Sequence, residues 1–396
     1  MSVTPARASL WSRLDWPLLL ATLALVGTGT VLVWSATVHR DDLTSGRDAA
    51  YAIKHAVNAG IGAVLGFVVA ATDHRWVRIW TPVVYLASVA GLALVFVPAI
   101  GREVNGSLSW ISLGGLTLQP AEFAKLAVVV SMALIVAERA EGRRSRNALR
   151  HLDVLLLLAV AAVPAALILR QPDLGTLLVL SATVFGVLAL AGAPKRWLLG
   201  LAGAAAAGAW AAVRGGLLAD YQVDRLLAFA DPSLDPLGAG YNTLQARIAI
   251  GNGGLTGQGL FDGSQTQAGF VPEQHTDFVF TVAGEELGLL GAGALIVLFT
   301  LLLWRGLRIA LQAQDMFGRL AAAGIVCWFG FQAFQNIGMC LGIMPITGVP
   351  LPLVSYGGTS MFASLMAVGL LLNIHRTDHP LGLGGVVRSR VIRSRF

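Results

Sequence analysis

Long apolar blocks alternate with short polar stretches along almost the whole chain, and no apolar face is balanced by a polar one as it would be on a soluble core. A membrane-spanning helix needs roughly 20 consecutive apolar residues. The pattern predicts ten such helices, over 17–37, 50–71, 79–98, 120–138, 153–169, 176–193, 197–213, 278–303, 320–342 and 359–374. The expected fold class is an all-α integral membrane protein of about ten transmembrane helices. A long extracytoplasmic loop, 214–277, joins spans seven and eight. Two blocks are less uniform, because Lys54 and His55 interrupt the second and Glu122 and Lys125 the fourth. The first block is too long for the apolar region of a cleaved signal peptide, and further spans follow it.

Composition removes the soluble alternative. Of 396 residues, 56% are hydrophobic and 13% charged, with mean hydropathy +0.71, against roughly a quarter charged in soluble chains. The net charge of +6 is unevenly spread. With the N-terminus inside, the cytoplasmic connections hold Arg75, Arg78, Arg139, Arg143, Arg144, Arg146, Arg150, Lys195, Arg196, Arg305, Arg308 and Arg319. The opposite face keeps mainly Arg40, Arg47, Arg102, Arg225 and Arg247. This asymmetry follows the positive-inside rule, with both termini cytoplasmic in a multi-pass plasma-membrane protein. Trp16, Trp76, Trp197 and Trp304 fall near span ends, where interfacial anchors belong. The basic charge is read as topology and anionic-lipid contact, and no nucleic-acid partner is expected.

Residues 1–377 are expected to form one polytopic domain, with 378–396 a basic, disordered cytoplasmic tail. Cys327 and Cys340 lack metal spacing and are expected as buried thiols. The 214–277 segment is long for a structureless connection, and it is acidic. Within it, 241–250 has helical spacing, with Leu244 and Ile248 on one face. The glycine-rich stretch Asn252 to Gly259 fits neither a Walker nor a dinucleotide fingerprint.

Polar residues collect at the ends of spans. Glu122 and Lys125 lie three apart, so they share a helix face, either as a packing ion pair or as part of a site. Asp173, in Arg170-Gln-Pro-Asp173-Leu-Gly-Thr176, can cap span six or help hold a polar ligand. Glu273, His275 and Asp277 crowd the entrance to span eight. Burial there raises a carboxylate toward a useful general base and a helix N-terminus opposes it, so the direction for Asp277 stays open. One His with two carboxylates suits zinc poorly, and a hard cation on oxygen ligands better. Glu285 and Glu286 sit inside the apolar zone and must face partners or a cavity. The loop from Met344 to Ser360 is broken by Pro345, Pro350, Pro352, Gly348, Gly357 and Gly358, so it must be buried in protein or line a cavity.

Five segments in this order resemble the SEDS family (shape, elongation, division and sporulation proteins). They are Asn105 to Lys125 with its Trp110-Ile and Gln119-Pro120-x-Glu122 core, Gln171 to Thr176, Tyr241 to Gly259, Pro272-Glu-x-His-Thr-Asp277-Phe, and Pro345 to Gly358. The resemblance covers about 15–377, and Gly263-Ser-Gln-Thr-Gln makes it RodA-like, of the elongation branch. It departs at Ser109, where many members have Arg, at Ala121, where Ser is common, and at Gly269, which is often acidic or polar.

The resemblance implies a peptidoglycan glycosyltransferase that polymerises lipid II on the outer face of a bacterial plasma membrane. It implies a class B penicillin-binding protein (a transpeptidase) and other elongation-complex membrane proteins as partners. The family's essential acid maps to Asp277, its polar cavity to Glu122, Lys125 and Asp173, and its loop tryptophan to Trp110. Arg170, Gln245, Glu273, His275 and Ser355 complete the candidate substrate-binding or supporting set. Asp277 would act as base, and Lys125, Arg170 or a divalent cation (Mg or Mn) would balance the departing diphosphate. A lipid II flippase and a non-catalytic scaffold are the alternatives to an enzyme.

Overall fold

The computed structural model describes residues 14–104, 106–113, 116–141, 149–216, 220–231 and 238–378. The expected basic tail, Asn105 and the arginines between 142 and 148 lie outside them. Helices dominate: α1 (Trp16–Val38), the short α2 (Asp41–Thr44), α3 (Ala50–Ala71), α4 (His74–Leu94), α5 (Pro120–Glu141), α6 (His151–Arg170), α7 (Leu174–Leu190) and α8 (Lys195–Arg214). The second half holds α9 (Asp220–Ala230), α10 (Ala239–Asn252), α11 (Ser264–Ala268), α12 (Val279–Glu286), α13 (Gly288–Gln312), α14 (Met316–Leu341) and α15 (Gly358–Asp378). Among the described residues nine helices are long and apolar enough to cross a membrane, and α7 is a shorter apolar helix beside them. The chain is a membrane-embedded, all-α protein, as the apolar blocks predict.

Two boundaries differ from expectation. The third span runs over 74–94 and not 79–98, because Asp73 caps it by accepting from the Arg75 amide at 2.9 Å. Arg75 and Arg78 lower the local hydropathy without ending the helix. The eighth span is two helices. α12 stops at Glu286, and α13 restarts at Gly288, whose φ is +63°. The glycine-rich stretch packs into this break: Leu289 N donates to Gly254 O at 2.9 Å, and Leu290 N to Leu255 O at 3.1 Å. A Cβ at Gly257 would stand 2.0 Å from Glu286 O, so only glycine permits the approach.

A three-stranded antiparallel sheet, not expected from the sequence, fills 101–118: β1 (Gly101–Val104), β2 (Ser107–Leu113) and β3 (Leu116–Leu118). Its strands are too short, and too mixed in polarity, to register as apolar blocks.

The centre of the molecule is α5, α14 and α15, with most of their spanning residues buried, whereas α8 buries none. α3 lies tightly along α15, where a Cβ at Gly66 would come 2.5 Å from Leu365 O. α1 is capped by Asp15, which accepts from Leu18 N at 3.0 Å and pairs with Arg305 of α13. The described parts of the long 214–277 segment hold α9, α10 and α11, and Leu244 and Ile248 are exposed together on α10. Both cysteines are free thiols, with Cys340 buried and Cys327 partly so.

Glu285 and Glu286 find partners within the chain. Glu285 accepts from the amides of Gln265 and Thr266 at 2.7 and 3.0 Å and from the Thr266 hydroxyl at 2.7 Å. Glu286 accepts from Ser35 of α1 at 2.6 Å. The Glu285 carboxylate fastens α11 to α12 and the Glu286 carboxylate fastens α12 to α1, and neither residue lines the cavity described next.

Candidate functional site

Where the sheet, the start of α7, α9 and the two proline-rich turns converge, the fold leaves a cavity of about 350 Å³. Its charged walls are Asp173, Arg225, Glu273 and Asp277, and its aromatic walls are Trp110 and Tyr356. Trp110 reaches it from β2, directly across from Arg102 in the β1–β2 ladder.

The backbone that carries Asp277 is held by unusual means. Glu273 has φ +48°, a strained conformation for a residue with a side chain. Its carbonyl accepts from Thr276, Asp277 and Phe278 amides at 3.2, 3.0 and 3.3 Å, closing a tight turn. Asn336 of α14 then donates to Asp277 O and to Val349 O, both at 2.7 Å. Gln335 donates to Pro345 O and the Thr347 hydroxyl at 3.1 Å, and Gln332 to Pro350 O at 2.8 Å. Residues 332, 335 and 336 share one face of α14. Their amides supply the donors that a proline-broken loop at membrane depth lacks. The sequence carried this signal, three amides at helical spacing in an apolar span, but its role needs the loop opposite.

Asp277 lines the cavity and is largely buried. Burial, then the Glu273 charge, push its carboxyl up to about 7, while Arg225 pulls it down and Asp173 adds a further upward push. Burial is the largest of these effects and outweighs Arg225 and the Thr276 hydrogen bond. Asp173 does both things expected of it. It caps α7, accepting from Thr176 N at 2.9 Å and its hydroxyl at 2.8 Å, and it also lines the cavity. Gln119 donates to its Oδ2 at 3.1 Å, and burial raises its carboxyl.

Other candidates stand elsewhere. Glu122 and Lys125 form a buried pair at 2.8 Å that does not line the cavity. Arg170 is exposed at the end of α6 and does not line the cavity. Gln245 on α10 is half-buried and outside the cavity wall. Ser355 is buried and caps its own loop, its hydroxyl accepting from Leu351 N at 2.8 Å. His275 turns behind Asp277 into a cluster with Tyr51 and Tyr356, ring centroids 5.0 and 5.6 Å away, and burial lowers its pKa. Glu273, Trp110 and Asp173 are the candidates that join Asp277 at the cavity. Among the described residues no three His, Cys, Asp or Glu side chains converge to hold a metal.

The chain is similar to known proteins along nearly its whole length. A family model described as cell cycle protein, FtsW/RodA/SpoVE, matches residues 16–379. The peptidoglycan glycosyltransferase MrdB of Escherichia coli (strain K12) is 38% identical over 95% of this chain and 97% of that protein. A structure described as structural coordination of polymerization and crosslinking by a peptidoglycan synthase complex superposes with TM-score 0.75 at 34% identity. It covers 93% of this chain and 99% of that one. The crystal structure of the rod shape determining protein RodA of Thermus thermophilus superposes with TM-score 0.68 at 32% identity, covering 94% and 100%. Sequence and fold thus agree along the same 364 or so positions, and the chain belongs to the FtsW/RodA/SpoVE family, the RodA-like SEDS peptidoglycan glycosyltransferases that its five segments resemble.

Proposed function

We propose that this chain polymerises lipid II into β-1,4 glycan strands, with Asp277 as the general base. The observation that carries the reading is Asp277 itself, a cavity-facing carboxyl pushed up to about 7 on a turn fixed by Asn336. A base titrating near the working pH combines the right protonation state with real proton affinity. Asp277 takes the proton of the acceptor's 4-hydroxyl as that oxygen attacks the donor's anomeric carbon. The bond to the lipid diphosphate breaks, and the diphosphate leaves with the electron pair. Displacement of an α-linked donor by this route inverts to the β-linked product.

Trp110 and Tyr356 offer apolar ring faces for the sugars, with Asp277 in the same cavity. The bilayer adds orientation by holding both lipid substrates at one depth.

The cavity is lined by residues at or just before the starts of α5, α7 and α15 and by the loop that follows α14. Arg75, Lys195, Arg196, Arg308 and Arg376 lie at the other ends of their spans. This supports an extracytoplasmic site with both termini cytoplasmic in the plasma membrane. A class B penicillin-binding protein as partner is supported by the likeness to a synthase complex that couples polymerization to crosslinking.

The test is polymerisation by the purified full chain, with its transpeptidase, on labelled lipid II in detergent, where vectorial transport has no readout. Glycan chains from wild type and none from Asp277→Asn are expected. Chains from both would remove Asp277 as base, and chains from neither would favour a transporter or scaffold.

A further inference from the structure

Lys125 is committed inside the protein. Its ammonium donates to Glu122 Oε1 and Gln332 Oε1, both at 2.8 Å, and lies 5.0 Å from the Trp328 ring centroid. Trp328 Nε1 also donates to Gln332 Oε1 at 2.6 Å, locking that acceptor in place. Lys125 is fully buried and does not line the cavity. Arg170 is exposed and does not line it. The two side chains that the sequence offered for the diphosphate are therefore both misplaced for it.

The cavity itself holds one guanidinium among its described lining residues, that of Arg225 on α9, against the carboxyls of Asp173, Glu273 and Asp277. A diphosphate brought into a cavity walled by three carboxyls and no cation would be repelled. We propose that Arg225 is the residue that takes the lipid-linked diphosphate of the donor and the charge that grows on it as the glycosidic bond breaks. Guanidinium suits this task, because its planar fork presents paired N–H donors to phosphate oxygens. Nearness to Asp277 gives the assignment a second consequence. Arg225 draws Asp277 toward the ionised form. Once a diphosphate engages the guanidinium, that hold weakens, and Asp277 becomes a stronger base when the donor is in place.

The proposal rests on the polymerase reading for its chemistry, but its test does not require turnover. Equilibrium binding of undecaprenyl diphosphate and undecaprenyl monophosphate is measured on the full chain in detergent. Wild type should prefer the diphosphate. Arg225→Ala should lose about tenfold or more of the diphosphate affinity with little change for the monophosphate, and Arg225→Lys should lose less. Where Arg225→Ala does not elute as a monodisperse protein, Arg225→Gln, which keeps length and polarity without charge, decides by the same criterion. A folded neutral variant with wild-type preference would overturn the assignment. In polymerisation assays the same variants should show a raised KM for lipid II. The acid limb of kcat/KM should also move to higher pH, because Asp277 loses a cation while still facing Glu273, Asp173 and the Cys340 thiol of α14. Diphosphate preference that depends on Arg225, in a protein that makes no glycan, would sink the polymerase reading and leave this one standing.

Discussion

Asn336 on α14 donates its side-chain amide to the main-chain carbonyl of Asp277 at 2.7 Å, and the same nitrogen donates to Val349 O at 2.7 Å. One buried amide thus ties the turn bearing the proposed base to the last loop. Asn336→Leu keeps the volume and leaves both carbonyls without this donor, at about 1–3 kcal/mol for each group. The expected result is a clearly lower thermal unfolding temperature and a polymerisation rate reduced more in kcat than in KM. Unchanged kcat in a destabilised variant would separate Asn336 from the positioning of Asp277.

Acidity at Asp277 predicts a pH profile. The base must be ionised and its carboxyl sits at about 7, so polymerisation should fall on the acid side of that value, by about tenfold per unit well below it. Glu273→Gln removes a like charge that raises Asp277, so the limb should move to lower pH. Stability runs the other way. The folded carboxyl lies above its ordinary 3.8, so the native state holds a proton more tightly, and stability is lost as pH rises from about 4 to about 7. Asp277→Asn should therefore raise the unfolding temperature at pH 8 and change it little near pH 4. Rate and melting profiles of the three proteins check both signs.

The sequence reveals what depends on runs of one kind of residue and hides what depends on juxtaposition. Ten apolar blocks are legible because a bilayer demands length. The break at Leu287–Gly288 is not, because the apolar block 278–303 continues on both sides of Glu285 and Glu286 and the interruption comes from Gly253 to Gly257 packing against it. Glu122 and Lys125 could be paired from their spacing alone. That Gln332 and Trp328 would close off the remaining faces of Lys125 depends on α14, some two hundred residues away. Asp277 stood out because three polar residues at a helix start exceed what capping needs. Arg225 did not, because in the sequence it is one arginine in a long acidic segment, and only the fold sets it on the same cavity wall.

If Lys125 and Glu122 are a structural unit, they should behave as one. Lys125→Met alone leaves the Glu122 carboxylate buried without its cation, and breaking such a pair costs about 3–5 kcal/mol. The double substitution Glu122→Gln with Lys125→Met removes both charges and should recover most of that loss. Thermal unfolding of the two singles and the double measures the coupling. A stable Lys125→Met protein with weakened lipid II binding would return Lys125 to the substrate.

Gly348 meets Asp277 from the opposite side. Its φ is +68°, and a Cβ there would stand 3.2 Å from Asp277 Oδ2. Gly348→Ala therefore imposes two separate effects, a left-handed backbone with a side chain, at about 1–2 kcal/mol, and a methyl group against the carboxylate. Gly46 isolates the first of these, because its φ is +75° and its Cβ position has nothing within 4 Å. Gly46→Ala should lose a similar amount of stability and keep wild-type polymerisation. Gly348→Ala should lose that stability together with tenfold or more in rate, since the methyl group displaces the carboxyl oxygen or strips it of solvent. Melting curves and lipid II polymerisation on the two variants give the comparison. Equal activities would mean that the Asp277 side chain can turn away from Gly348 and still reach the acceptor hydroxyl.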